Sequence, residues 1–261
     1  MASSSMPYTI RPTSPDSLVL EAWGQGYMFG SLLVMIAITM ANIKKAILLH
    51  KLIVVELLLA LGHRTFIFLD EPGYGWYLSI TAVGLNVSWS LHNLIAWMKL
   101  RGFFSQLGTR LYLGTLLLAQ PYWVLEIYAN FAFFNFGDPL FLRTRLDPWW
   151  IFTTFFLIYK IQRGYKRQLL QLFRISPRFG LTLFFLCLSI AFVVVDTCAI
   201  LGVFDLDLPT GIEPFWKFAF VFKCLSDTII LDDFKSALEQ VHQDRFRDLL
   251  QPGDIELRTP Q

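Results

Sequence analysis

PFWKFAFVFKCLSDTIILDDF, residues 214–234, is an apolar run of the length a membrane-spanning helix needs, and it carries Lys223 and Asp227 inside it. An ionisable side chain in hydrocarbon is costly unless it is paired, hydrated or turned towards an interior, so these two mark a candidate working part of the chain. They lie four residues apart, share a helix face and are within reach of an intrahelical ion pair. The simplest role for such a pair is to neutralise itself.

The composition around this stretch agrees with it. The chain has 261 residues, 55% hydrophobic and 16% charged, where a soluble domain carries about a quarter charged residues. The net charge of +2, with no basic arm interleaved with aromatics, argues against nucleic acid as a partner. Cys187, Cys198 and Cys224 all fall in apolar runs, which suits packing residues better than a disulfide framework or a zinc site.

Apolar runs at six further places predict an all-α bundle of seven transmembrane helices. The spacing places them near 23–41, 52–69, 76–98, 111–136, 149–161 and 179–203, before the run at 214–234. Gly24, Gly26 and Gly30 give the first helix small-residue spacings for close packing. Gln120-Pro121 predicts a kink in the fourth. The polar, Pro/Ser-rich residues 1–22 read as a flexible tail and 23–234 as the membrane domain, whose first helix serves as an uncleaved insertion signal. Residues 162–178 read as a basic amphipathic helix on anionic headgroups, and 235–261 as a cytosolic interfacial helix with a disordered end. Asn86-Val-Ser88 matches a glycosylation sequon but falls mid-membrane.

Seven spans put the termini on opposite sides, and the basic residues choose the orientation. The 1–2, 3–4 and 5–6 loops with the C-terminal tail hold fifteen Lys and Arg, against four on the other side. The N-terminus is therefore expected outside or in a lumen, and the C-terminus in the cytosol. A multi-pass protein of the endoplasmic reticulum or another endomembrane fits this pattern.

Helical rise converts sequence position into depth. Glu56, His92 and Asp227 fall roughly 6–8 Å to the cytosolic side of their helix midpoints, and Glu126 and Asp196 roughly 5–7 Å to the other side. Lys223 falls between these layers. Glu56 and His63 share a face, and Trp123, Glu126 and Asn130 point within one arc beyond the kink. A carboxyl group kept from water is disfavoured in its charged form and so has a proton to give, which suits a general acid. Phe, Trp and Tyr faces can stabilise a developing cation, although aromatics also simply fill and border membrane helices. There is no GxxxxGK[ST] phosphate loop, HExxH zinc motif or GxSxG elbow, and Asp232-Asp233 read as helix caps. Neither a cofactor nor a metal is expected.

GWYLSITAVGLNVSWSLHN (75–93), AQPYWVLEIYANF (119–131), DPWWIFTT (147–154) and FVFKCLSDTIILDDFKSALE (220–239) resemble a widespread group of fungal integral membrane proteins. In size and seven-span form the chain also resembles the fungal membrane-bound terpene cyclases of meroterpenoid pathways. Those enzymes protonate an epoxide or alkene of a prenylated substrate with acidic residues of early and late helices. The resemblance implies a secondary-metabolite isomerase acting on a hydrophobic prenylated molecule. Glu56 or Asp227 would be the proton donor, and Glu126 or Asp196 would orient the substrate or accept a proton. His92, Trp123, Asn130 and Lys223 would bind substrate. The alternatives from the residues themselves are a seven-helix receptor, a proton-coupled transporter, or a non-catalytic scaffold whose polar groups join helices.

Overall fold

The computed structural model describes residues 11–12, 14–44, 46–70, 73–138, 148–165, 177–200, 203 and 214–229. Among these residues every regular element is helical. The helices are α1 (Pro15–Ala41), α2 (Leu48–Leu61), α3 (Gly73–Leu100), α4 (Gln106–Leu118), α5 (Gln120–Phe136), α6 (Pro148–Tyr165) and α7 (Pro177–Ile200), and residues 215–229 form one more. Two stretches, Pro15–Ala41 and Gly180–Ala199, are long and apolar enough to cross a membrane. The expected surface helix at 162–178 and the interfacial helix after 234 lie largely or wholly outside the described residues.

Local chemistry sets the ends. Ser14 caps α1 by accepting a hydrogen bond from the Ser17 amide at 3.2 Å, Pro15 occupies the first turn, and Asp16 adds negative charge there. The helix thus begins at residue 15, and the flexible tail expected through residue 22 is helical in its last eight positions. The second helix is also shorter than its apolar run. It stops at Leu61, because His63 adopts φ −83°, ψ 34°, and residues 62–68 form two 3₁₀ turns instead. His63 therefore leaves the face of Glu56 and meets the Thr81 hydroxyl at 2.9 Å. The expected break at Gln120-Pro121 separates α4 from α5, since proline has no amide to continue the ladder. Gly137, at φ 70°, ends α5 in the left-handed conformation that favours glycine.

Helix α3 is the hub, packing against α2, α5 and α6, while α1 packs on α2. The main core joins Met28, Leu32 and Ile36 of α1, Ile53 and Leu57 of α2, Leu85 and Ile95 of α3, and Phe220 and Cys224 of the last helix. Two backbones approach closely at Gly84, where an added Cβ would stand 2.9 Å from the Leu59 carbonyl oxygen. Of the three glycines expected to serve this purpose, Gly26 and Gly30 face open space and Gly24 makes room for the Lys217 side chain. Gly84→Ala should force α2 and α3 apart and cost about 1–3 kcal/mol. Gly26→Ala should be neutral or stabilise by up to about 1 kcal/mol, because it meets nothing and is a better helix former. Thermal unfolding of both variants in detergent checks the contrast.

Candidate functional site

Three helices deliver ionisable groups to one buried point. Glu56 of α2 and Asp227 of the last helix both engage His92 Nδ1 of α3, at 2.8 Å and 3.2 Å. Their residue exposures are 0%, 5% and 1%, so water does little to screen them. The Cys224 thiol, one turn before Asp227, lies 3.7 Å from the same Glu56 oxygen. Each helix reaches this point through its apolar face: Ile53 and Leu57 flank Glu56, and Ile95 follows His92 by one turn.

Asp227 is neutralised from another direction than the sequence suggests. Lys99 Nζ of α3 lies 2.6 Å from Asp227 Oδ1, with both side chains 7% exposed. Lys223, four residues before Asp227, instead places its ammonium over the Trp150 ring, 5.3 Å from the centroid. A lysine side chain is long enough to reach either an aspartate one turn on or a ring on α6. The interhelical Lys99 occupies the carboxylate, so Lys223 takes the ring.

Beside these groups is a cavity of ≈ 40 Å³ bordered by His92, Lys99, Asp227, Trp150, Thr153 and Thr154. Its volume is that of one or a few waters. Both threonine hydroxyls donate to the Trp150 carbonyl at 2.9 Å, leaving their oxygens free to accept from a guest. A second, larger groove of ≈ 660 Å³ runs between α4 and α6, lined by Phe104, Tyr112, Trp149, Phe152 and Phe156 with Lys160 at one end. That volume is typical of a small-molecule site. Leu100 and Trp150 of the inner cavity pack in one cluster with Phe103, Phe104 and Phe156 of the groove.

The ligating atoms of Glu56, His92 and Asp227 lie within 4.8 Å of one another, close enough to share a divalent ion. The charges favour another use. Lys99 is paired with Asp227, and Lys223 also acts electrostatically on His92, so two ammonium groups already balance the two carboxylates. What the arrangement can do without further charge is hold and move a proton among two carboxyl groups and an imidazole.

The other expected site residues lie elsewhere. Glu126 and Trp123 are buried on α5, Trp123 packing edge-on against Trp149, and Asn130 is half-buried one turn beyond Glu126. Asp196 is buried on α7. Neither Glu126 nor Asp196 belongs to the group around His92 or borders the inner cavity. Sequence reasoning missed Lys99, counted there as a loop cation, although residues 92, 96 and 99 share one helix face. It also missed a second buried polar group formed by Glu21, Gln25, Arg64 and Lys217. Comparison with protein-family models, curated proteins and solved structures found no match for the chain.

Proposed function

We propose that the chain is a seven-span membrane protein performing acid–base chemistry on a hydrophobic molecule, most specifically the acid-initiated cyclisation of a prenyl chain. The membrane reading is supported by an inside-out distribution of polarity. Glu21, Glu56, Arg64, His92, Lys217, Lys223 and Asp227 are buried, while Val34, Leu117, Leu118, Val124, Phe184 and Val194 are exposed. Charges inside and large aliphatic groups outside suit a lipid solvent and oppose a water-facing surface. The excess of Lys and Arg on one side supports a cytosolic C-terminus.

The observation that carries the chemistry is the convergence of Glu56 and Asp227 on one imidazole nitrogen. His92 and Asp227 border the inner cavity and are the groups a substrate meets; the imidazole of His92 delivers the proton, and the Asp227 carboxylate holds the imidazolium beside the substrate. Glu56 lies behind His92 and supplies its proton through the imidazole. Lys99 fixes the Asp227 carboxylate. The Lys223 ammonium already lies over the Trp150 ring, so the ring faces that could stabilise a carbocation are those of Trp149 and Phe152 in the groove. The larger aromatic groove has the volume for a prenyl chain, and its Phe103, Phe104 and Phe156 pack in one cluster with Leu100 and Trp150 of the inner cavity. Glu126 and Asp196 take no part in this scheme.

The test is product formation in membranes supplied with an epoxidised prenyl-phenol. Glu56→Gln and Asp227→Asn should each lower turnover by about 10²–10⁴-fold, the usual range for a positioned general acid. Full cyclisation by both variants would remove the proposal. Proton-coupled transport is a second reading, favoured by the water-sized inner cavity. Uptake into vesicles that tracks an imposed pH gradient and is lost in Glu56→Gln would select it instead.

A further inference from the structure

The 3₁₀ turn after α2 buries an arginine whose recognition edge meets no acceptor among the described residues. Arg64 is 1% exposed. Its Nη1 donates to the His63 carbonyl at 3.0 Å, while Nε and Nη2 meet no acceptor among the described residues. These two nitrogens form one side of the guanidinium fork, the side that takes two coplanar oxygens of a carboxylate or phosphate. The guanidinium lies near the Trp216 and Phe220 rings, at 5.2 Å and 5.5 Å from their centroids.

The charges nearby leave room for an anion. Lys217, 1% exposed, lies 3.0 Å from Glu21 Oε2, and Gln25 donates to Glu21 Oε1 at 2.7 Å. Glu21 also acts on Arg64 electrostatically, so among the described residues one carboxylate serves two buried cations. An unpaired charge away from water is strongly unfavourable, and two adjacent ring faces offset only part of that cost. A bound oxyanion would complete the set. The aromatic surroundings select one carried on an apolar body over a small hydrated ion.

We propose that Arg64, flanked by Lys217, Trp216 and Phe220, is a recognition site for an oxyanion borne by an apolar molecule. It is separate from the His92 site and does not depend on the chemistry proposed there. The site is closed over Arg64, and a neighbouring side chain must move to admit the ligand.

Thermal unfolding of the full chain in detergent tests this, with decanoate, decanol and inorganic phosphate as probes. Decanoate at saturation should raise the midpoint by roughly 5 °C, as expected for a ligand far above its dissociation constant, and uncharged decanol should not. An equal shift with inorganic phosphate would overturn the proposal, since the fork would then take a small hydrated ion, and a shift with decanoate alone supports it. Arg64→Lys keeps the charge but removes the fork and should lose the shift. Arg64→Met removes a buried charge that has no carboxylate of its own among the described residues, so without ligand its midpoint should equal or exceed that of the parent. No shift with either anion, a shift retained by Arg64→Lys, or a midpoint that collapses in Arg64→Met would overturn the proposal.

Discussion

Glu21→Gln is expected to destabilise the protein by about 3–5 kcal/mol, the cost of removing one partner of a buried ion pair. Glu21 and Lys217 are 196 residues apart in sequence and bind the start of α1 to the start of the last helix. Loss of the carboxylate charge leaves the Lys217 ammonium and the Arg64 guanidinium together in a space closed to water. The neighbouring Gly24 fixes the lysine's path, since a Cβ there would stand 3.1 Å from Lys217 Cδ. A buried pair exchanged whole for neutral groups of similar size is often no less stable, because the desolvation cost disappears with the attraction. The double variant Glu21→Gln/Lys217→Met should therefore recover most of what Glu21→Gln loses. Reversible unfolding in mixed micelles measures all three proteins. A double variant no more stable than the single one would show that the pair is not what the glutamate contributes.

The difference between these two polar clusters shows which physical signals the sequence carries. Glu56, His92 and Asp227 fall in one layer by helical rise alone, and the structure joins them, because depth along a helix follows from counting residues. Lys99 was assigned to a loop because the apolar run ends near Met98, yet α3 continues to Leu100 and carries the lysine inward. Glu21 was lost in the same way. The apolar run starts at Trp23, but the Ser14, Pro15 and Asp16 cap begins the helix a full two turns earlier. Hydrophobic periodicity thus located the helices and truncated their ends, where several of the buried charges sit. Arg64, in a turn, reaches the Trp216 and Phe220 rings of a distant helix, and no spacing rule within either segment reports that contact. Gly84 makes the same point for packing: small-residue spacing singled out α1, while the carbonyl that demands a glycine belongs to α2.

Lys99→Met should separate structure from chemistry at the His92 site. Methionine keeps much of the lysine's length, so the change removes the charge at 2.6 Å from Asp227 Oδ1 with little change in packing. Asp227 then keeps His92 as its partner, and a stability loss of about 3–5 kcal/mol is expected. Turnover should fall as well, because a carboxylate without its ammonium no longer holds His92 in a fixed position. Adding Asp227→Asn removes the stranded charge and should restore much of the stability while leaving turnover at the level of Asp227→Asn alone. That combination distinguishes the two roles a buried ion pair can have. Stability and turnover recovering together in the double variant would mean that Asp227 only balances Lys99. Recovery of stability without turnover gives the carboxylate a part in the chemistry itself, since that folded bundle keeps Glu56 and His92 and lacks the Asp227 carboxylate beside the substrate.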